Sequence, residues 1–148
     1  MENELKINLN DQEKDLLLQD LCARLPYGVK CNVGDDKSYT LSRIEIDNKN
    51  GHLLDFKEKK DGLDMQVYLS ECKPYLYPLS SMTEEQLYNN PVGFSQMLTI
   101  KADRDWENIT INRRDYYKLV DWFDKNHFDY RGLIEKGLAI DATNKNIY

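Results

Sequence analysis

One short segment near the end of the chain carries residue types that could perform acid–base chemistry. His127, Asp129, Tyr130 and Arg131 lie close together, and an imidazole beside a carboxylate and a guanidinium can transfer a proton near neutral pH. A structural use fits the same residues, because Asp129 can cap a turn and Arg131 can pair with an acid on another element. No glycine-rich loop or ligand cluster accompanies them, so the sequence favours the structural use. An enzyme that uses His127 with nearby acids stays open as an alternative.

Other kinds of catalytic or cofactor site have little support in the sequence. The candidate soft metal ligands are His52, His127, Cys22, Cys31 and Cys72, and their spacing matches no zinc motif. The seven glycines fall in no phosphate-binding pattern. We therefore predict no metal, no cofactor and no catalytic residue, and we expect the cysteines to be reduced.

Tyrosine is the residue type best suited to recognition in this chain. There are ten tyrosines, and several lie in three segments that mix aromatic, aliphatic and charged residues densely. Tyrosine near arginine is common among the residues that dominate the binding energy of protein interfaces. We predict a binding site formed by Tyr27, Tyr75, Tyr77, Tyr130 and Arg131, in which Tyr27, Tyr75 and Arg131 are at least partly exposed. The alternative is that these rings only cover the sheet edge and the helix ends.

Composition and charge limit the possible compartment and partners. The 148 residues, 41% hydrophobic and 31% charged, fit one globular domain spanning 1–148. No apolar run approaches the ~18 residues that cross a bilayer, and residues 1–4 do not resemble a secretory signal, so we expect a cytoplasmic protein without membrane contact. A net charge of −6 repels nucleic acid. A nucleic-acid-binding small β-barrel is therefore only an alternative to a protein partner.

The hydrophobic pattern predicts an α+β fold. Asn10 and Glu13 mark the start of an N-terminal helix, which Pro26 ends. Residue alternation predicts strands over 29–33, 39–46, 52–56 and 63–69, and a short strand is expected over 97–100. Helices are predicted after Thr83 and over 113–125. The expected architecture is a curved antiparallel sheet of four or five strands, open or a partial barrel, with the N-terminal helix and two or three C-terminal helices.

Two local features of this sheet are also predicted. Along the second strand the apolar residues change from odd to even positions, which indicates a bulge near Ser42 and Arg43. Asn50-Gly51 and Asp61-Gly62 are typical of two-residue hairpin turns, because these residue types accept a positive φ.

Three segments give the chain a resemblance to a known family. The segments are LCARLPYGVK at 21–30, KPYLYPLSSMTEE at 73–85 and HFDYRGLIEKGLA at 127–139. They resemble a family of small uncharacterised proteins encoded by Bacteroides-type gut bacteria, their phages and mobile elements. The resemblance implies a cytoplasmic protein of a bacterium or its phage, with no assigned activity.

We predict from these observations a non-enzymatic protein-binding module. The three segments should meet near one end of the sheet, because each lies at a junction between elements. Within that junction we expect Leu25, Leu79, Phe128 and Leu133 to be buried.

Overall fold

A computed structural model describes residues 8–102 and 111–148 of the chain. The helices are α1 Asp11–Arg24, α2 Glu84–Tyr88, α3 Phe94–Ala102 and α4 Arg113–Lys125. The strands are β1 Lys30–Asn32, β2 Tyr39–Glu45, β3 Leu53–Lys60, β4 Leu63–Tyr68, β5 Lys73–Leu76 and β6 Ile140–Asp141. The predicted α+β class is confirmed. The expected absence of a secretory signal concerns residues 1–4, which lie outside the described residues.

Helix α1 begins and ends where the sequence predicts. The side chain of Asn10 accepts a hydrogen bond from the Glu13 amide at 2.8 Å, and the Glu13 carboxylate accepts the Asn10 amide at 3.2 Å. This reciprocal cap satisfies amides that would otherwise lack partners at the helix start. The chain then tightens into a 3₁₀ turn over Leu25–Tyr27, and Gly28 turns away with a φ of 67°.

The sheet is open and has six strands in the order β4-β3-β2-β1-β5-β6. All neighbours are antiparallel except β5 and β6, which are parallel. The expectation of four or five antiparallel strands was therefore wrong in number and in direction at this edge. Strand β6 has only two residues, too few to produce a readable alternation, and its place beside β5 is set by long-range packing.

The local predictions for β2, β3 and β4 have different outcomes. The bulge in β2 is confirmed by a register shift between Leu41 and Arg43. Asp61 and Gly62, with φ of 54° and 78°, form the predicted turn between β3 and β4. The two-residue turn at Asn50-Gly51 was wrong. A longer loop joins β2 to β3 there, and the Asp47 carboxylate accepts the amides of residues 49 and 50.

Residues 97–100 are helical, so the strand expected there was wrong. They lie in α3, where the side chains of Met97 and Ile100 are fully buried. A separation of three residues is the spacing of one helix face, whereas a strand would bury alternate residues. The short apolar run alone did not distinguish the two periods.

Two hydrophobic cores share a junction formed by the chain segments 76–77, 127–129 and 140–142, where Leu76 belongs to one core and Phe128 to the other. One core packs α1 against the sheet around Leu17, Leu21 and Leu54. The other lies among α2, α3 and α4, around Met97, Phe123 and Phe128. None of the helices in the described residues is long and apolar enough to cross a membrane.

Candidate functional site

The three segments that the sequence singled out meet at this junction, as predicted. The Tyr77 amide donates to the His127 carbonyl at 2.8 Å, and the Asp129 amide donates to the Tyr77 carbonyl at 2.8 Å. Strands β1 and β5 pair beside them. The guanidinium of Arg24, which immediately precedes the turn at Leu25–Tyr27, donates to the Phe128 carbonyl at 2.6 Å. Backbone pairing and one arginine therefore hold all three segments together.

A buried ion-pair cluster lies under the junction and consists of Asp20, Arg24, Asp124, Tyr130 and Arg131. Asp20 and Arg24 are four residues apart on α1, and both are fully buried. The Arg24 Nε donates to both carboxylate oxygens of Asp20 at 3.0 Å. Arg131 joins from the 127–134 segment through a 2.8 Å bond to Asp20 Oδ1, and it reaches Asp124 Oδ1 at 3.4 Å.

The cluster is electrically balanced, which makes its burial tolerable. Two arginines face two aspartates, and the Tyr130 hydroxyl donates to Asp124 Oδ1 at 2.8 Å. Burial raises the pKa of Asp124 although the Tyr130 hydrogen bond opposes that rise. Burial alone would lower the pKa of Arg131, but the charge and hydrogen bond of Asp20, together with Tyr130 and the charge of Asp124, outweigh burial and the pKa is raised. All the charges have partners, so the arrangement is typical of a structural network.

The five predicted binding residues do not form one exposed surface. Tyr75 and Tyr130 are buried, at 6% and 8% exposure, so the expected exposure of Tyr75 was wrong. Tyr75 lies in β5 between two other strands, and its hydroxyl accepts from the Asn32 side chain. The Arg131 side chain retains 13% exposure.

The remaining two tyrosines are half-buried. Tyr27 is partly exposed, as expected, and its hydroxyl donates to Asp121 on α4. Tyr77 is half-buried beside the ring of Phe128.

The four leucine and phenylalanine positions expected in the core divide into two groups. Phe128 and Leu133 are buried, at 1% and 0% exposure, which confirms that part of the prediction. Leu25 and Leu79 are only half-buried, and each packs against the edge of a core. Both lie in short 3₁₀ turns at the protein surface, where one side of the residue stays open to water.

His127 and Asp129 are not arranged as an acid–base pair. Both carboxylate oxygens of Asp129 accept backbone amides, from Leu133 and Ile134, at 2.8 Å. His127 is 8% exposed, and its Nδ1 is buried without a hydrogen-bond partner in the described residues. Burial, followed by the charge of Arg24, lowers the pKa of His127 to about 4. The imidazole is therefore neutral at pH 7, with Asp129 already engaged in capping.

A different surface carries exposed apolar side chains, and we call it the aromatic patch: Tyr88, Phe94 and Leu98. Their exposures are 62%, 38% and 47%. The rings of Tyr88 and Phe94 stack with centroids 4.6 Å apart and planes at 24°. Phe94 and Leu98 are four residues apart on α3 and so share one side of that helix.

A single asparagine brings the two halves of the aromatic patch together. The side-chain oxygen of Asn90 accepts the amides of Val92 and Gly93, while its nitrogen donates to the carbonyls of Gln86 and Leu87. These bonds fold the link between α2 and α3 into a tight corner. Sequence reasoning missed the patch because it assigned 97–100 to a strand. The Asn-Asn-Pro-Val-Gly run at 89–93 is the signal that could have revealed the corner.

The site and fold define an α+β protein with an open six-stranded mixed sheet, a buried ion-pair cluster at its helical junction and an exposed aromatic patch. Within the described ranges, no group of three or more His, Cys, Asp or Glu side chains is placed to hold a metal ion. Comparisons of the chain with known protein families, with curated proteins and with solved structures find no match. The geometry itself must therefore carry any proposal of function.

Proposed function

We propose that this chain is a non-enzymatic protein-binding module and that the aromatic patch contacts its protein partner. The stacked, solvent-exposed pair of Tyr88 and Phe94, extended by Leu98, is the observation that carries the proposal. An exposed cluster of large apolar side chains leaves favourable burial energy unused until another surface covers it. Stacked aromatic rings also supply a large contact area at little cost in conformational entropy.

The resemblance to proteins of Bacteroides-type bacteria and their phages suggests where the partner is found. Under this proposal the chain acts in the cytoplasm of such a bacterium, and its partner is a protein of that cell or of an infecting phage. The predicted binding residues Tyr75, Tyr130 and Arg131 serve the fold in this account. Tyr27, which is half-buried, lies apart from the aromatic patch in sequence and bonds to Asp121.

The two rival functions have weaker support in the geometry. An enzyme using His127 lacks a hydrogen-bonded carboxylate at that imidazole in the described residues, since Asp129 caps the 133–134 amides. A nucleic-acid-binding barrel would require a closed or strongly curved basic sheet, and this sheet is open in a chain of net charge −6.

The proposal is tested by affinity capture from a lysate of a Bacteroides-type bacterium, with three baits. The baits are the natural chain, the double variant Tyr88→Ser/Phe94→Ser, and the control Leu63→Ser. Leu63 is 72% exposed at the β3–β4 turn, so the control removes an exposed apolar side chain away from the patch. We expect the same protein to be captured by the natural chain and by Leu63→Ser, with capture lost in the double variant.

Three results would contradict the proposal. They are failure of the natural chain to capture any protein above background, undiminished capture by the double variant, and equal loss with the Leu63 control. Equal melting temperatures of the three baits ensure that lost capture reflects the lost surface and not an unfolded chain.

A further inference from the structure

The side chain of Tyr148 occupies a recess at the edge of the pairing between β1 and β5. Its hydroxyl accepts the Lys30 amide at 2.9 Å and donates to the Tyr75 carbonyl at 2.8 Å. The last recorded pair between the two strands is Cys31 with Pro74, so Lys30 and Tyr75 stand opposite each other one step further along. The hydroxyl therefore bridges a backbone donor of β1 and a backbone acceptor of β5 just beyond the paired residues.

The ring of Tyr148 is held by a second set of contacts. It stacks on the imidazole of His127 with centroids 3.8 Å apart and planes at 11°. The ring of Tyr77 forms a side wall at 6.0 Å and 52°. His127 takes a left-handed backbone conformation, with a φ of 61°, which is uncommon for residues other than glycine. The recess thus combines a flat aromatic floor with a matched donor and acceptor at its inner end.

Recognition here depends on the chemistry of a phenol. The ring needs a flat face to stack on His127, and the inner end needs one atom that both accepts and donates a hydrogen bond. A phenol meets both requirements, whereas a benzene ring would leave the Lys30 amide and the Tyr75 carbonyl without this partner. Burial of the hydroxyl end raises the pKa of Tyr148, which keeps the phenol neutral and able to donate.

The occupant can leave without opening either hydrophobic core. Tyr148 is 42% exposed, although its hydroxyl end is hydrogen-bonded and its ring stacks on His127. Residues 143–147 before it contribute no side chain to the buried cores. Exchange of this side chain for another of the same chemistry therefore requires only movement of a surface segment.

We propose that the recess between Lys30, Tyr75 and His127 is a binding site for a tyrosine side chain. Tyr148 fills it in the free chain, and a tyrosine presented by another protein segment takes its place when Tyr148 is displaced. This site is separate from the aromatic patch and does not depend on the proposed function.

The test removes the resident ring and offers a free phenol. In Tyr148→Ala, p-cresol, which is the tyrosine side chain as a small molecule, should bind and raise the melting temperature by about 3 °C at ten times its Kd. The Lys30 amide and the His127 ring protons should shift in NMR spectra during the same titration. Toluene, which lacks the hydroxyl, should bind about ten-fold more weakly. The natural chain, with its recess filled, should also bind p-cresol at least about ten-fold more weakly.

The proposal is overturned if p-cresol does not bind Tyr148→Ala, if toluene binds equally well, or if the natural chain binds p-cresol equally well. A second variant, Tyr148→Phe, keeps the ring and removes only the bridging hydroxyl. Its Lys30 amide should exchange with solvent about ten-fold faster than in the natural chain. An unchanged exchange rate would also refute the proposed hydroxyl recognition.

Discussion

The buried ion-pair cluster and the aromatic patch both place side chains in the environment that their chemistry disfavours. The cluster buries charged groups, and the patch exposes aromatic rings to water. In the cluster, Asp20 and Arg24 are fully buried but completely paired. In the patch, Tyr88 and Phe94 touch each other and remain exposed to water. A buried charge with partners stabilises the fold, whereas an exposed apolar surface leaves favourable burial energy unused. Side-chain type alone therefore does not distinguish a structural role from a binding role. Whether the charges are paired and the apolar groups buried is the more informative observation.

The largest effect expected is from breaking the buried cluster. Arg24→Met keeps the apolar stem but removes the charge that faces both oxygens of Asp20, so Asp20 loses its main partner inside the protein. We expect the free energy of unfolding, measured by urea denaturation, to fall by about 3–5 kcal/mol.

Arg43→Met is the matched control for this substitution. Arg43 is 66% exposed and forms long ion pairs with Glu45 and Asp55, so its loss should change stability by less than about 0.5 kcal/mol. Equal losses for the two variants would mean that the buried cluster contributes no more than surface charge does.

The next effect concerns the apolar residues that flank the junction. Leu133→Ala removes a fully buried side chain and should cost about 2–5 kcal/mol in urea unfolding, from lost burial and the cavity left behind. Leu79→Ala removes a half-buried side chain, and we expect a cost below about 2 kcal/mol. A larger cost for Leu79 than for Leu133 would reverse the assignment of the core.

A smaller, pH-dependent effect is expected from His127. Its pKa is about 4 in the folded chain against 6.5 in the unfolded one, so between these values the unfolded state binds the proton first. The stabilising contribution is complete above pH 6.5 and is lost as the pH falls toward 4, by about 2–3 kcal/mol in total.

The variant His127→Asn isolates this contribution, because asparagine tolerates a positive φ and does not titrate. Urea unfolding at pH 7, 5.5 and 4.5 should give a shallower decline for the variant. Asp124 and Asp129, whose pKa values burial raises, act in the opposite direction in both proteins and cancel in the comparison. Identical pH profiles would exclude His127 as the source.

The smallest effect on stability is expected in the aromatic patch. Tyr88→Ser/Phe94→Ser removes exposed rings, so the melting temperature should change by no more than a few degrees while capture of the partner is lost. A strong destabilisation would instead mean that the patch has a structural role, as the ion-pair cluster does.

Local signals in the sequence predicted much of the fold but little of the site. The cap at Asn10 and Glu13, the bulge near Arg43 and the turn at Asp61-Gly62 all depend on residues close in the chain, and all are confirmed. Part of helix α3 was misread as a strand, and a short extended segment was expected over 138–140 but not its pairing with β5 as strand β6. In both cases a short apolar run has the same local pattern in either state, and long-range contacts decide between them.

The sequence by itself determined that three dense segments would meet, because each lies at a junction between elements and the elements were readable. Only the tertiary structure decided what they do there. Tyr75 and Arg131 are residue types common in interfaces. Tyr75, however, lies in β5 between two other strands, and Arg131 bonds to Asp20. Burial and pairing are properties of residues distant in the chain, and in Arg131 and Asp20 the partners are 111 positions apart. Pairwise geometry over that distance is fixed by packing, which no local pattern encodes.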